Sequence, residues 1–144
     1  MGELVKISNP LDYHTFIWGN QKKMNELFVA ICEKVNDLII FVFDVPRNDR
    51  CDPTSFKCGI EAIIHAKKKT NAKIAVVSSI SESMTEDLAE VFIKNQILPL
   101  GGLKTGLRAI ELSNKSFLFS KKVDFIKVLL EKRISQKNRR SLLE

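Results

Sequence analysis

Two stretches of this 144-residue sequence carry side chains able to hold an anion or move a proton, and a third is glycine-rich. The first reads Val45-Pro46-Arg47-Asn48-Asp49-Arg50-Cys51-Asp52-Pro53-Thr54-Ser55. Asp52 suits an N-cap and Pro53 the first turn of a helix. The N–H groups of Thr54, Ser55 and Phe56 are then left over at a helix N-terminus, where the backbone and the positive dipole end attract anions. Arg47 and Arg50 add charge, so Arg50, Cys51, Asp52, Thr54 and Ser55 form a candidate phosphate site, with Asn48 at its edge. The same residues also describe an ordinary capped helix behind a solvated loop.

The second stretch, Asn9-Pro10-Leu11-Asp12-Tyr13-His14-Thr15-Phe16-Ile17-Trp18-Gly19, holds the only Trp, the only Tyr and one of two histidines. Such an aromatic cluster anchors a partner or lids a core. Asn9, Asp12 and His14 are further candidates for the site edge. His14 has the chemistry of a general base, but no nucleophile neighbours it in sequence, and it reads equally as a hydrogen-bonded structural side chain. His65, between Ile64 and Ala66, reads as a satisfied helix histidine.

The third stretch is Gly101-Gly102-x-x-x-Gly106, which fits a strand-to-helix turn. No G-x-G-x-x-G follows the first strand, and neither a P-loop lysine motif nor G-x-S-x-G is present. The three cysteines, Cys32, Cys51 and Cys58, include no C-x-x-C and no paired His, which argues against a disulfide framework and a zinc site. No complete catalytic set emerges, so no catalytic residue and no metal ligand is assigned.

The elements that must position these residues follow from hydrophobic periodicity. Residues 21–36 place Met24, Leu27, Phe28, Ile31 and Val35 on one helical face, and 54–69 do the same with Phe56, Ile60, Ile63 and Ile64. Residues 38–45 are almost continuously apolar, the pattern of a strand covered on both faces, and Lys73–Val77 is a second such strand. A short strand is expected over 3–8 and another over 97–100. Ser83-x-x-Glu86 reads as a capping box ahead of Leu88, Val91 and Phe92. Gly101-Gly102 leads into a helix containing Leu107 and Ile110, and 123–134 reads as a final amphipathic helix. Alternating strands and helices imply an α/β fold: an open parallel sheet with helices on both faces. Ligands then bind beyond the carboxyl ends of the strands, which singles out the loops 46–53, 78–83 and 101–105.

Hydrophobic content of 44% and charged content of 28% are those of a soluble globular domain. No apolar run approaches the roughly 18 residues of a membrane span, and the start of the sequence has neither basic nor apolar signal-peptide regions. A cytoplasmic protein is expected. Of the net charge of +6, residues 121–144 supply +5, from eight basic and three acidic side chains. The expected division is therefore a body over 1–120 and a basic helix, tail or linker over 121–144. A basic tail suits nucleic acid or anionic membrane, but only Phe125 interrupts the charge with an aromatic ring. Neither partner is expected.

Asn9-Pro10-Leu11-Asp12 ahead of an amphipathic helix and a buried strand resembles the start of one domain of the NDP-forming acyl-CoA synthetases, the superfamily of acetate– and succinate–CoA ligases. Arg50-Cys51-Asp52 is similar to the loop closing the matching strand in the C-terminal domain of the nucleotide-binding subunit of succinyl-CoA synthetase. Residues 97–110, Ile-Leu-Pro-Leu-Gly-Gly-Leu-x-x-Gly-Leu-Arg-Ala-Ile, resemble that family's closing strand, turn and helix. The likeness spans about residues 8–112. Tyr13-His14-Thr15 stands where the family pattern has glycines. The resemblance implies a flavodoxin-like (Rossmann-like) fold and a domain or small subunit of an ADP-forming acid–CoA ligase. In that family a histidine on a swinging loop carries phosphate between two sites, held by helix N-termini, and the helix starting at Asp52-Pro53 supplies one of them. It also implies that the chain binds no cofactor itself and is inactive alone. CoA, ATP or ADP, and Mg would belong to CoA-binding and ATP-grasp domains or subunits, its expected partners. The alternative is a non-catalytic interaction module docking through the loop Tyr13–Trp18.

Overall fold

In the computed structural model, residues 8–12, 17–35, 37–46 and 49–119 are described. The elements run α1 (Gln21–Lys34), β1 (Leu38–Val42), α2 (Thr54–Lys69), β2 (Lys73–Val77), a 3-10 turn (Ser81–Ser83), α3 (Glu86–Lys94), β3 (Leu98–Leu100) and α4 (Leu103–Phe119). The expected strand over 3–8 lies, apart from Ser8, outside the described residues, as does the expected helix over 123–134. The chain forms two compact units, Met1–Arg108 and Ala109–Glu144. In the second, the exposed part of α4 carries an ion pair between Lys115 Nζ and Glu111 Oε1 at 2.6 Å.

The first unit is an α/β layer structure built on an open, parallel, three-stranded sheet in the order β1-β2-β3. Leu38 to Val42 pair with Lys73 to Val77, and Ala75 to Val77 with Leu98 to Leu100. Two parallel steps in one direction put the connecting helices on one face when the crossovers are right-handed. That face carries Ile39, Phe41, Ile74 and Val76, continued by Phe43, and it forms one core with Met24, Phe28 and Cys32 of α1, Ala62, Ile63 and Ala66 of α2, and Phe92 of α3. The Phe28 and Phe41 rings meet at 4.7 Å between centroids. On the opposite face the start of α4 crosses Val77 and Leu100, close enough that a Cβ on Gly106 would stand 3.0 Å from Val77 Cγ1. Among the described residues, helices thus lie on both faces of the sheet.

Several expectations about packing need correction. Among the described residues β1 is an edge strand and is covered on one face: Ile39 and Phe41 are buried, while Ile40 and Val42 remain 36% and 54% exposed. An apolar run fits a doubly covered strand and an edge strand equally, so the run did not decide it. In α1 the buried stripe is Met24, Phe28 and Cys32, and Val35 is exposed beyond the helix end. In α2 only Ile63 of the expected face is fully buried, because the small residues Gly59, Ala62 and Ala66 occupy the line of closest approach. Phe56, Ile60 and Ile64 pack at the margin of the core. The N-cap of α3 is Thr85, whose hydroxyl accepts from Leu88 N at 3.3 Å, since Ser83 is taken up in the preceding 3-10 turn.

Candidate functional site

The loops following all three strands lie at the carboxyl edge of the sheet, where parallel α/β folds place ligands. At the first, Asp52 does not leave the helix start open. Its Oδ1 accepts from Thr54 N at 2.9 Å and from Thr54 Oγ1 at 2.6 Å. The Thr54 hydroxyl first, and then the Thr54 amide, hold the Asp52 carboxyl below its ordinary range. Pro53 stands at the cap position, and its carbonyl accepts from Phe56 N at 2.9 Å and Lys57 N at 3.0 Å. Of the three N–H groups expected to be free, those of Thr54 and Phe56 are therefore bonded. A carboxylate already occupies the place at which an anion would sit. Arg50 is largely exposed, with its Nε 4.0 Å from Asp49 Oδ2. Cys51 is an exposed free thiol.

Trp18 and Gly19, at the end of the Asn9–Gly19 stretch, reach this helix start. Asn9 and Asp12 are exposed, and Ser8 Oγ donates to Pro10 O at 2.9 Å. His14, with Tyr13, Thr15 and Phe16, lies outside the described residues, as do Arg47 and Asn48. Trp18 turns inward: its ring centroid is 5.7 Å from Phe43 and 5.2 Å from Phe56, edge to face with the latter. It is half-buried and packs against the core beside α2. Gly19 has φ of +77°, a conformation that favours glycine, and a Cβ there would stand 3.3 Å from Ser55 Oγ. Cys58 Sγ lies 3.7 Å from Gly19 O. The chain leaving the second stretch is thus seated on the first turn of α2.

The residue that sequence reasoning missed is Asp44, read there as part of the strand. β1 ends at Val42, although Phe43 N still donates to Val77 O at 2.9 Å. One residue later the Asp44 carboxylate accepts from Ser79 N at 2.9 Å (Oδ1) and from Ser79 Oγ at 2.6 Å (Oδ2). Ser79 O accepts from Leu103 N at 3.1 Å, and the buried Ser78 Oγ accepts from Gly102 N at 3.3 Å. An acidic residue closing an apolar strand run at the carboxyl edge was the signal available for finding it. Gly102, with φ of +78°, makes the turn into α4.

Away from this edge, an open groove of about 710 Å³ lies between α1 and α2, lined by both signs of charge from Lys22, Glu26, Glu33 and Lys69, with His65. Among the described residues, no three His, Cys, Asp or Glu side chains stand together as a metal site. No helix among them is long and apolar enough to cross a membrane. Compared with known proteins, the chain matches no family model, no curated protein and no solved structure.

Proposed function

We propose that the chain is a flavodoxin-like domain or small subunit of an NDP-forming acyl-CoA synthetase, serving the phosphoryl-carrying part of that ligase and inactive alone. The observation that carries the reading is a juxtaposition. Trp18 and Gly19, which close in sequence the stretch begun by Asn9-Pro10-Leu11-Asp12, stand against Phe56 and Ser55 in the first turn of α2. Residues that follow one family-like segment in sequence are thereby seated on the helix that follows the other, at the carboxyl edge of a parallel sheet.

The role suited to α2 is electrostatic. Preorganised backbone donors and a helix dipole stabilise a transferred phosphoryl group without reorganising. In the isolated chain Asp52 occupies that position, so a phosphohistidine from another domain must displace an exposed carboxylate to reach Thr54 N–H, with Ser55 beside it. Arg50 and Cys51 precede the position in sequence, and Asn9 and Asp12 belong to the segment that leads, in sequence, to Trp18 and Gly19. CoA, ATP or ADP, and Mg belong to CoA-binding and ATP-grasp domains, which this reading makes the partners.

Reconstitution tests it. The chain combined with CoA-binding and ATP-grasp domains encoded beside it should form acyl-CoA from acid, CoA and ATP, and none of the parts should do so alone. Equal rates with and without the chain, or no such domains encoded beside it, overturn the reading.

A further inference from the structure

The three loops at the carboxyl edge come from different strands, yet their hydrogen bonds connect them in series. The loop after β1 contributes the Asp44 carboxylate. The loop after β2 contributes Ser79, which gives that carboxylate both its amide and its hydroxyl proton, at 2.9 and 2.6 Å. The same residue offers its carbonyl to Leu103 N, at the start of α4, at 3.1 Å. Beside it, the buried Ser78 hydroxyl receives Gly102 N at 3.3 Å. Ser79 is exposed and lies beyond the last paired residue of β2. Little apolar packing therefore holds it, and directional bonds must. Bonds to an ionised acceptor are the stronger kind.

We infer that Asp44 is the positioning residue of this edge: by holding Ser79 at two points, it sets where the Gly101–Gly102 turn and the start of α4 stand relative to the loop after β1. A ligand or partner touching either outer loop then meets one preorganised surface, and displacement of one loop is felt at the other through Ser79. The inference concerns the geometry of the edge and stands independently of the ligase reading.

Amide hydrogen exchange of the whole chain, resolved residue by residue, tests it. Asp44→Ala should speed exchange at Ser79 by roughly ten- to a hundredfold, the range for losing a bond to a charged acceptor. Leu103 and Gly102 should follow severalfold, with the β1–β2 ladder and α1 unchanged. Asp44→Asn, which keeps an acceptor for Ser79 N and offers a donor to Ser79 Oγ, should restore most of the protection. Faster exchange at Ser79 alone, with Leu103 and Gly102 at their original rates, overturns the inference, and so does failure of Asp44→Asn to rescue. Should Asp44→Ala not fold, Ser79→Ala removes the hydroxyl bond alone. It is expected to speed Leu103 severalfold, and an unchanged Leu103 rate in that variant is equally fatal.

Discussion

Gly59→Ala sets two effects of known sign against each other. In the interior of a helix such as α2, alanine is favoured over glycine by about 1 kcal/mol. The added Cβ, however, would stand 2.6 Å from both Cε2 and Cζ of Phe43, about 1 Å inside ordinary carbon contact. The Phe43 ring is not free to retreat. It is buried, with Trp18 at 5.7 Å and Phe56 at 6.4 Å between ring centroids. Overpacking of this kind costs about 1–3 kcal/mol, and the enclosed ring points to the upper end of that range. The expected net loss is about 2 kcal/mol. Trp18 is the only tryptophan and touches the displaced ring, so its fluorescence reports both the native perturbation and the urea midpoint. A lowered midpoint with an unchanged slope is the expected result, and Phe43→Leu in the same chain should recover part of the loss. A midpoint equal to or above that of the unmodified protein would show that Phe43 is not fixed over Gly59, and that the aromatic cluster does not hold Trp18 against α2.

Gly106→Ala meets milder crowding, at 3.0 Å from Val77 Cγ1 and 3.1 Å from Leu100 Cβ. Its unfolding free energy from urea titration should stay within about 1 kcal/mol of the original, as helix propensity offsets the contact; a loss exceeding that of Gly59→Ala would contradict this ordering. The Asp52 carboxyl, held low by Thr54, should titrate below the ordinary aspartate value of about 3.9 when followed by NMR, and Thr54→Val should move it back up. Because the folded-state value is depressed, the associated stability is present above the unfolded value and is lost as pH falls through the folded one. Stability of the Thr54→Val variant should therefore depend less on pH in that acid window, and an unshifted Asp52 in it would remove the stated cause. Under native conditions a maleimide should label the exposed Cys51 first. Cys32 should react only on unfolding, because burial both covers its thiol and pushes its pKa up, against the lowering effects of Thr70 and Lys67. Equal labelling of the two by mass spectrometry would refute the core described around α1.

What was legible in the sequence had a local cause. The bounds of α2 and β2 follow from residues within a few positions: Pro53 before the helix, three lysines and Thr70 at its end, and a β-branched run bounded by polar residues. The end of β1 was less legible because a ladder stops where its partner stops. The apolar run continues past Val42, but β2 ends at Val77, so only Phe43 N finds one further backbone bond there. The buried line of α2 failed for a related reason. Hydrophobicity ranks Phe56, Ile60 and Ile64 above Gly59, Ala62 and Ala66, whereas close approach to the sheet and α1 selects by size.

The candidate site divides along the same line. Its three loops could be listed from the sequence because the carboxyl-edge rule needs only element order. Their internal bonding could not, because each decisive contact joins residues distant in sequence or competing for one donor. In the sequence Asp52 reads as a cap and the amide it caps reads as free for a ligand, and the two exclude each other once Thr54 N lies 2.9 Å from Asp52 Oδ1. Asp44 and Ser79 are 35 positions apart, and nothing local marks either as the other's partner. Anion binding at α2 thereby becomes an exchange reaction. A helix start with free amides attracts phosphate from solution, whereas one closed by its own aspartate must exchange one anion for another. Inorganic phosphate should then bind poorly to the isolated chain and more tightly to Asp52→Ala, in which the competing charge is gone. An equal response of the Ser55 amide to phosphate in the two proteins would mean that the carboxylate does not guard this position.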